Sequence, residues 1–131
     1  MTEDSEADAA EEEAQPFFES QHVFSVFYKD YVNDVAILSS EPEPQAADRI
    51  GPLAEVLLQH ADNFLGVIDK NDQILHAYLD DDEQSVILEL LFPEDAGSMR
   101  LKCPRNDAMA ILMTLPAAFT ETLLPGAQFI S

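Results

Sequence analysis

Between residues 64 and 103 the chain alternates four short apolar segments with three polar turns. Strands are expected at residues 64 to 69, 74 to 80, 85 to 92 and 99 to 103. Their connections are Lys70-Asn71-Asp72, Asp80 to Gln84, and Pro93 to Gly97. Connections this short leave little choice but an antiparallel meander, because parallel neighbours need a crossover of a dozen residues or more. The richness of Val86 to Phe92 in apolar side chains places that strand inside the sheet, covered at least partly on both faces.

Alternation sorts the side chains into two faces. Met99, Leu101 and Cys103 point one way while Arg100 and Lys102 point the other. Val86, Leu88 and Leu90 share a face, and Glu89 lies opposite, between Ile87 and Leu91. Antiparallel pairing then puts Glu89 across from Arg100 or Lys102, a structural pairing worth about 0.2–1 kcal/mol.

The flanking segments are less regular. In residues 22 to 39, Phe24, Tyr28, Tyr31, Val35 and Leu38 fall at helical spacing, yet the β-branched and aromatic content suits a pleated surface better. With Asn33-Asp34 as turn chemistry, two strands are expected at 22 to 28 and 35 to 39. Pro42 and Pro44 oppose any regular element in the stretch SSEPEPQAAD, residues 39 to 48. A helix is expected from 52 to 62, with Pro52 at its first position, Leu53, Val56, Leu57 and His60 on one stripe, and residues 46 to 50 able to add an earlier turn. A second helix is expected from 106 to 115, capped by Asn106 or Asp107 and burying Met109, Leu112 and Met113. Residues 117 to 124 can add a short third. The fold class is therefore α+β, an antiparallel β-meander packed against two or three helices. Residues 20 to 131 form one domain, and residues 1 to 19 form a tail.

Charge bounds the function. The chain carries 26 carboxylates against 6 Lys and Arg, a formal charge of -20. Eight of those carboxylates lie in the first 19 residues, a self-repelling block expected to stay solvated. Without them, 18 acids still face 6 bases. Lys29, Arg49, Lys70, Arg100, Lys102 and Arg105 are too few to displace counterions from phosphates, so no direct contact with nucleic acid or an anionic membrane is expected. The field favours a basic protein partner, against the plainer possibility of a solubilising surface. A single cysteine, Cys103, excludes an internal disulfide. The first residues lack the basic and apolar regions of a secretory leader, so a cytoplasmic location is expected.

Chemistry-bearing motifs are scarce. His22, His60 and His76 lack close metal-ligand spacing, and Cys103 alternates with apolar neighbours as a core residue does. P-loop, GxGxxG, GxSxG and HExxH motifs do not occur. The run Asp80-Asp81-Asp82-Glu83 lacks the alternate spacing and central glycine of a calcium loop. No cofactor, metal or catalytic residue is assigned. An enzyme would have to gather Asp69, Glu89 and Asp107 from separate elements. As a partner-binding feature the acidic run carries more weight: four adjacent carboxylates at a hairpin tip cannot neutralise one another. Asp69 and Asp72 at one neighbouring turn, and Glu94 and Asp95 at another, can share a rim at the opposite end of the meander. Tyr78 either packs in the sheet or adds an aromatic contact of the kind enriched at interface hot spots.

The segment DNFLGVIDKNDQILHAYLDDDEQSVILELL followed by KCPRNDAMAILMTLP resembles the hairpin, apolar central strand and terminal helix of small immunity proteins of bacterial toxin–immunity systems. The resemblance extends over residues 22 to 115 and lies in the order of elements; the acidic tail and the proline-rich insertion at 41 to 44 depart from it. It implies a protein that binds and silences a cognate toxin; the acidity fits a toxin that acts on nucleic acid and carries a cationic groove. No family site residue has a motif here to transfer. The partner-binding residues expected from charge and position are Asp69, Asp72, Tyr78, Asp80, Asp81, Asp82, Glu83, Glu94 and Asp95. The alternative is an acidic export chaperone for a secreted effector, which would be a homodimer with an apolar groove. The residues leave the oligomeric state open.

Overall fold

The alternating segments pair as their turns require. A computed structural model of the chain describes residues 22–92 and 97–130. The elements are β1 (Val23–Asp30), β2 (Val35–Ile37), β3 (Glu43–Ala46), α1 (Ala47–Leu57), β4 (Phe64–Ile68), β5 (Ile74–Leu79), β6 (Ser85–Phe92), β7 (Gly97–Pro104), α2 (Arg105–Leu112) and β8 (Gln128–Ile130). A single 3-10 turn, Glu121–Leu123, precedes β8. Among the described residues, eight strands form one antiparallel sheet in the order β2-β1-β4-β5-β6-β7-β8, with β3 also paired to β1. The α+β architecture is thus as the alternation demands. The tail expected at 1 to 19, and Glu94 and Asp95, lie outside the described residues.

One face of the sheet carries both helices. Phe24 and Val26 of β1, Leu65 and Val67 of β4, Leu75 and Ala77 of β5, and Val86, Leu88 and Leu90 of β6 pack there against Ile50, Ala54 and Leu57 of α1 and Ala108 and Leu112 of α2. Leu65, Leu75, Leu88 and Leu90 are sealed from solvent, so truncating any one to Ala should cost roughly 2–5 kcal/mol. Cys103 is buried beside this core, and burial pushes its thiol pKa up, as befits a packing residue.

Several boundaries differ from the expectations, each for a local reason. Helix α1 begins at Ala47, so Pro52 lies inside it and not at its first position. Pro52 and Asp48 are both exposed, so the carbonyl deprived of its donor sits on the solvent side. The buried stripe is Ile50, Gly51, Ala54 and Leu57, while Val56 is exposed. Pro44 does enter a strand: β3 is an edge strand, where a missing N–H can face solvent. Helix α2 starts at Arg105 with Pro104 at the cap position, without a side-chain cap from Asn106 or Asp107; its last turn leaves Met113 exposed. The helix expected at 117 to 124 is reduced to the 3-10 turn. Strand β8, three residues long, pairs with β7 where no strand was expected.

Candidate functional site

Neither helix lies on the other face of the sheet, where register aligns side chains in rows. Phe27 pairs with Gly66, Gly66 with His76, His76 with Glu89, and Glu89 with Arg100. The next row toward the β1–β2 turn runs Lys29, Phe64, Tyr78, Ile87, Lys102. The rows are built around a missing side chain. A Cβ on Gly66 would collide with Cζ of Phe27, so the Phe27 ring rests on the bare glycine. His76 meets that ring edge-on at 5.6 Å between centroids, and Phe64 meets it at 6.5 Å.

Beside these rows the β1–β2 hairpin and the approach to β4 raise a wall, enclosing a depression of about 860 Å³. Tyr31, Leu38, Asp62, Phe64, His76 and Tyr78 are among its lining residues. A hydrogen-bond network fixes the wall. Buried Asn63 accepts the Tyr31 N–H at 2.8 Å and donates to Asp30 at 3.2 Å. Asp30 also accepts the N–H groups of Val32 and Asn33 and the Asn33 side-chain amide. The Asn33 hydrogen bonds, the side-chain one first, hold the Asp30 carboxyl below the usual range despite its desolvation.

Glu89 takes Arg100 as its partner at 3.2 Å and also accepts from Ser98 Oγ. Lys102 reaches instead to Asp80 at 2.6 Å and Asp82 at 3.7 Å. The charge of the Asp80–Glu83 turn is thus partly neutralised from across the sheet. Asp82 is further committed to the turn, accepting the N–H groups of Gln84 and Ser85 and the Ser85 hydroxyl. Those backbone hydrogen bonds pull its pKa down to about 2. Asp81 and Glu83 remain exposed, Glu83 in the left-handed conformation at φ 59°.

The other expected residues separate. Asp69 is buried and accepts the N–H groups of Asn71 and Gln73 at 2.8 Å each and of Phe119 at 2.6 Å. Its carboxylate is thereby turned inward, away from any rim. Asp72 is exposed at the same turn with φ 65°, at the opposite end of the sheet from Asp80. Tyr78 lies on the uncovered face, half-buried, opposite Phe64. Burial raises its pKa first, with the Glu89 and Asp80 charges adding to the rise. Asp69, Glu89 and Asp107 do not meet: the first closes the β4–β5 turn, the second lies on the uncovered face, and the third is on α2 behind the sheet. No three His, Cys, Asp or Glu side chains among the described residues converge as metal ligands.

Residues missed by sequence reasoning are Phe27, Phe64, His76, Leu38 and Asp62. Phe64 and His76 share the strand parity of Tyr78, and that was the available signal; the pairing with Phe27 across Gly66 emerges only from the register. Among the described residues no helix is long and apolar enough to cross a membrane. No protein-family model matches this chain, nor does any curated protein or solved structure.

Proposed function

We propose that this chain is an acidic binding protein that neutralises a cationic protein partner, acting as an immunity protein against a toxin that works on nucleic acid. The observation that carries the reading is how four of the six cations are spent. Lys29 sits 3.7 Å from Asp34, Arg100 pairs with Glu89, Lys102 pairs with Asp80 and Asp82, and Arg105 donates to the Leu58 carbonyl. The carboxylates far outnumber these cations, so Asp62, Asp72, Asp81 and Glu83 stay solvent-facing. Such a surface steers basic partners toward it and disfavours phosphate-bearing ones. Pull-down with a cationic nuclease-type toxin domain, followed by a salt titration, tests the reading. Binding that weakens with salt supports it; absent or salt-insensitive binding contradicts it.

The uncovered apolar depression favours a second reading, an acidic chaperone holding an extended segment of a secreted effector. That reading requires a homodimer. Light scattering separates the two, because a monomer at micromolar concentration removes the chaperone.

A further inference from the structure

Three of the nine large apolar side chains exposed among the described residues share one site. Tyr31 (59 % exposed), Leu38 (62 %) and Phe64 (36 %) line one depression, and half-buried Tyr78 lies beside Phe64 on its floor. A concentrated apolar patch with a polar rim is the surface pattern of a binding site, whereas single exposed apolar residues need no explanation. The same end of the sheet holds the rim. Strands β1 and β5 end there and β4 begins there, so Asp34, Asp62 and the Asp80–Glu83 turn border the aromatic floor.

Charge selects the occupant. A second copy of this chain would bring one net charge of -20 against another, with acidic rims meeting at the contact. A basic segment gains on both counts, since apolar side chains fill the floor while ammonium or guanidinium groups reach the rim. The wall is pre-formed by the Asn63–Asp30–Asn33 network, so little ordering has to accompany docking.

Resting on the reading of this chain as a binder of cationic protein, we infer that the partner docks at this depression, inserting an aromatic or aliphatic anchor between Leu38, Phe64 and Tyr78, with flanking Lys or Arg directed to Asp62 and the Asp80–Glu83 turn. The floor supplies the desolvated centre and the carboxylates supply orientation, the division usual at interface hot spots.

The probes are two short synthetic peptides, one with a Leu-Phe pair between lysines and one with serines replacing the pair. Affinities are measured by fluorescence anisotropy with the full chain, and contacts are mapped by amide chemical shifts. The anchored peptide should bind at least about tenfold tighter than the serine peptide and shift the amides of Phe64, Tyr78 and Leu38. Leu38→Ser, an exposed position that leaves the core intact, and Phe64→Ala should each remove most of that difference, with circular dichroism confirming the fold. If both peptides bind equally and shifts centre on Asp81 and Glu83 alone, the docking site is overturned while the charge-based reading stands. If neither peptide binds, both fall.

Discussion

The Asp69 carboxylate accepts the backbone N–H of Phe119 at 2.6 Å across 50 residues of sequence. The same side chain closes the β4–β5 turn through Asn71 and Gln73, so one carboxylate ties the sheet to the segment after α2. Phe119 in turn stacks on Phe24 of β1 at 5.7 Å. Asp69 is therefore a structural clamp.

Replacing it has a defined consequence. Asp69→Ala leaves three N–H groups without their acceptor, one of them buried, and should lower stability by roughly 2–4 kcal/mol. Asp69→Asn should fall between, keeping one strong acceptor. Denaturant melts measure the loss. Partner affinity of the folded fraction should be unchanged, since the clamp faces inward.

The aromatic floor depends on Gly66. A methyl group there meets the Phe27 ring, which Phe64 and His76 confine. Gly66→Ala should destabilise the chain by about 1–3 kcal/mol through overpacking. It should also shift the His76 and Phe64 ring resonances, which a substitution on the helix face would leave in place.

Stability should fall on acidification in two separate windows. Burial lowers the His76 pKa, with Glu89 opposing, so the unfolded chain binds a proton more readily than the folded one. That contribution is complete above the ordinary histidine value of about 6.5 and is lost as pH drops below it. The Asp82 pKa is held down to about 2, so its contribution is present above the ordinary value of about 3.9 and lost as pH falls from there toward 2. Thermal melts across pH check both. His76→Leu should flatten the upper window alone, and Asp82→Asn should make the lower window shallower without abolishing it, because Asp30 and Asp80 are lowered too.

The parts of the fold legible from residues are those where alternation and turn chemistry agree. Ser85–Phe92 is such a strand, and the positive φ of Asp34, Asp72 and Glu83 falls in three of the turns expected. Local signals failed where tertiary context decides. Strand β8 is too short to show a period, Pro44 is tolerated only because β1 offers it an edge, and Pro52 misplaced the start of α1. For the site, the acidic turn was visible as a run of carboxylates, but its partial neutralisation by Lys102 depends on how strands β5, β6 and β7 align. Asp69 looked like its neighbour Asp72 in sequence; only the approach of Phe119 separates a buried clamp from an exposed charge. The aromatic depression was the least visible feature, because its members come from β1, β4, β5 and the hairpin wall.

Recognition of a cationic protein is proposed to rest on the surplus carboxylates near the aromatic floor. The most direct measurement compares binding of a cationic nuclease-type toxin domain by the native chain and by an Asp62→Asn/Asp81→Asn/Glu83→Gln variant over a range of ionic strength. These three side chains are exposed, so the fold should survive their neutralisation. The variant should bind at least about tenfold more weakly at low salt, with a shallower salt dependence. Equal affinity and equal salt dependence for the two proteins would contradict recognition by these carboxylates.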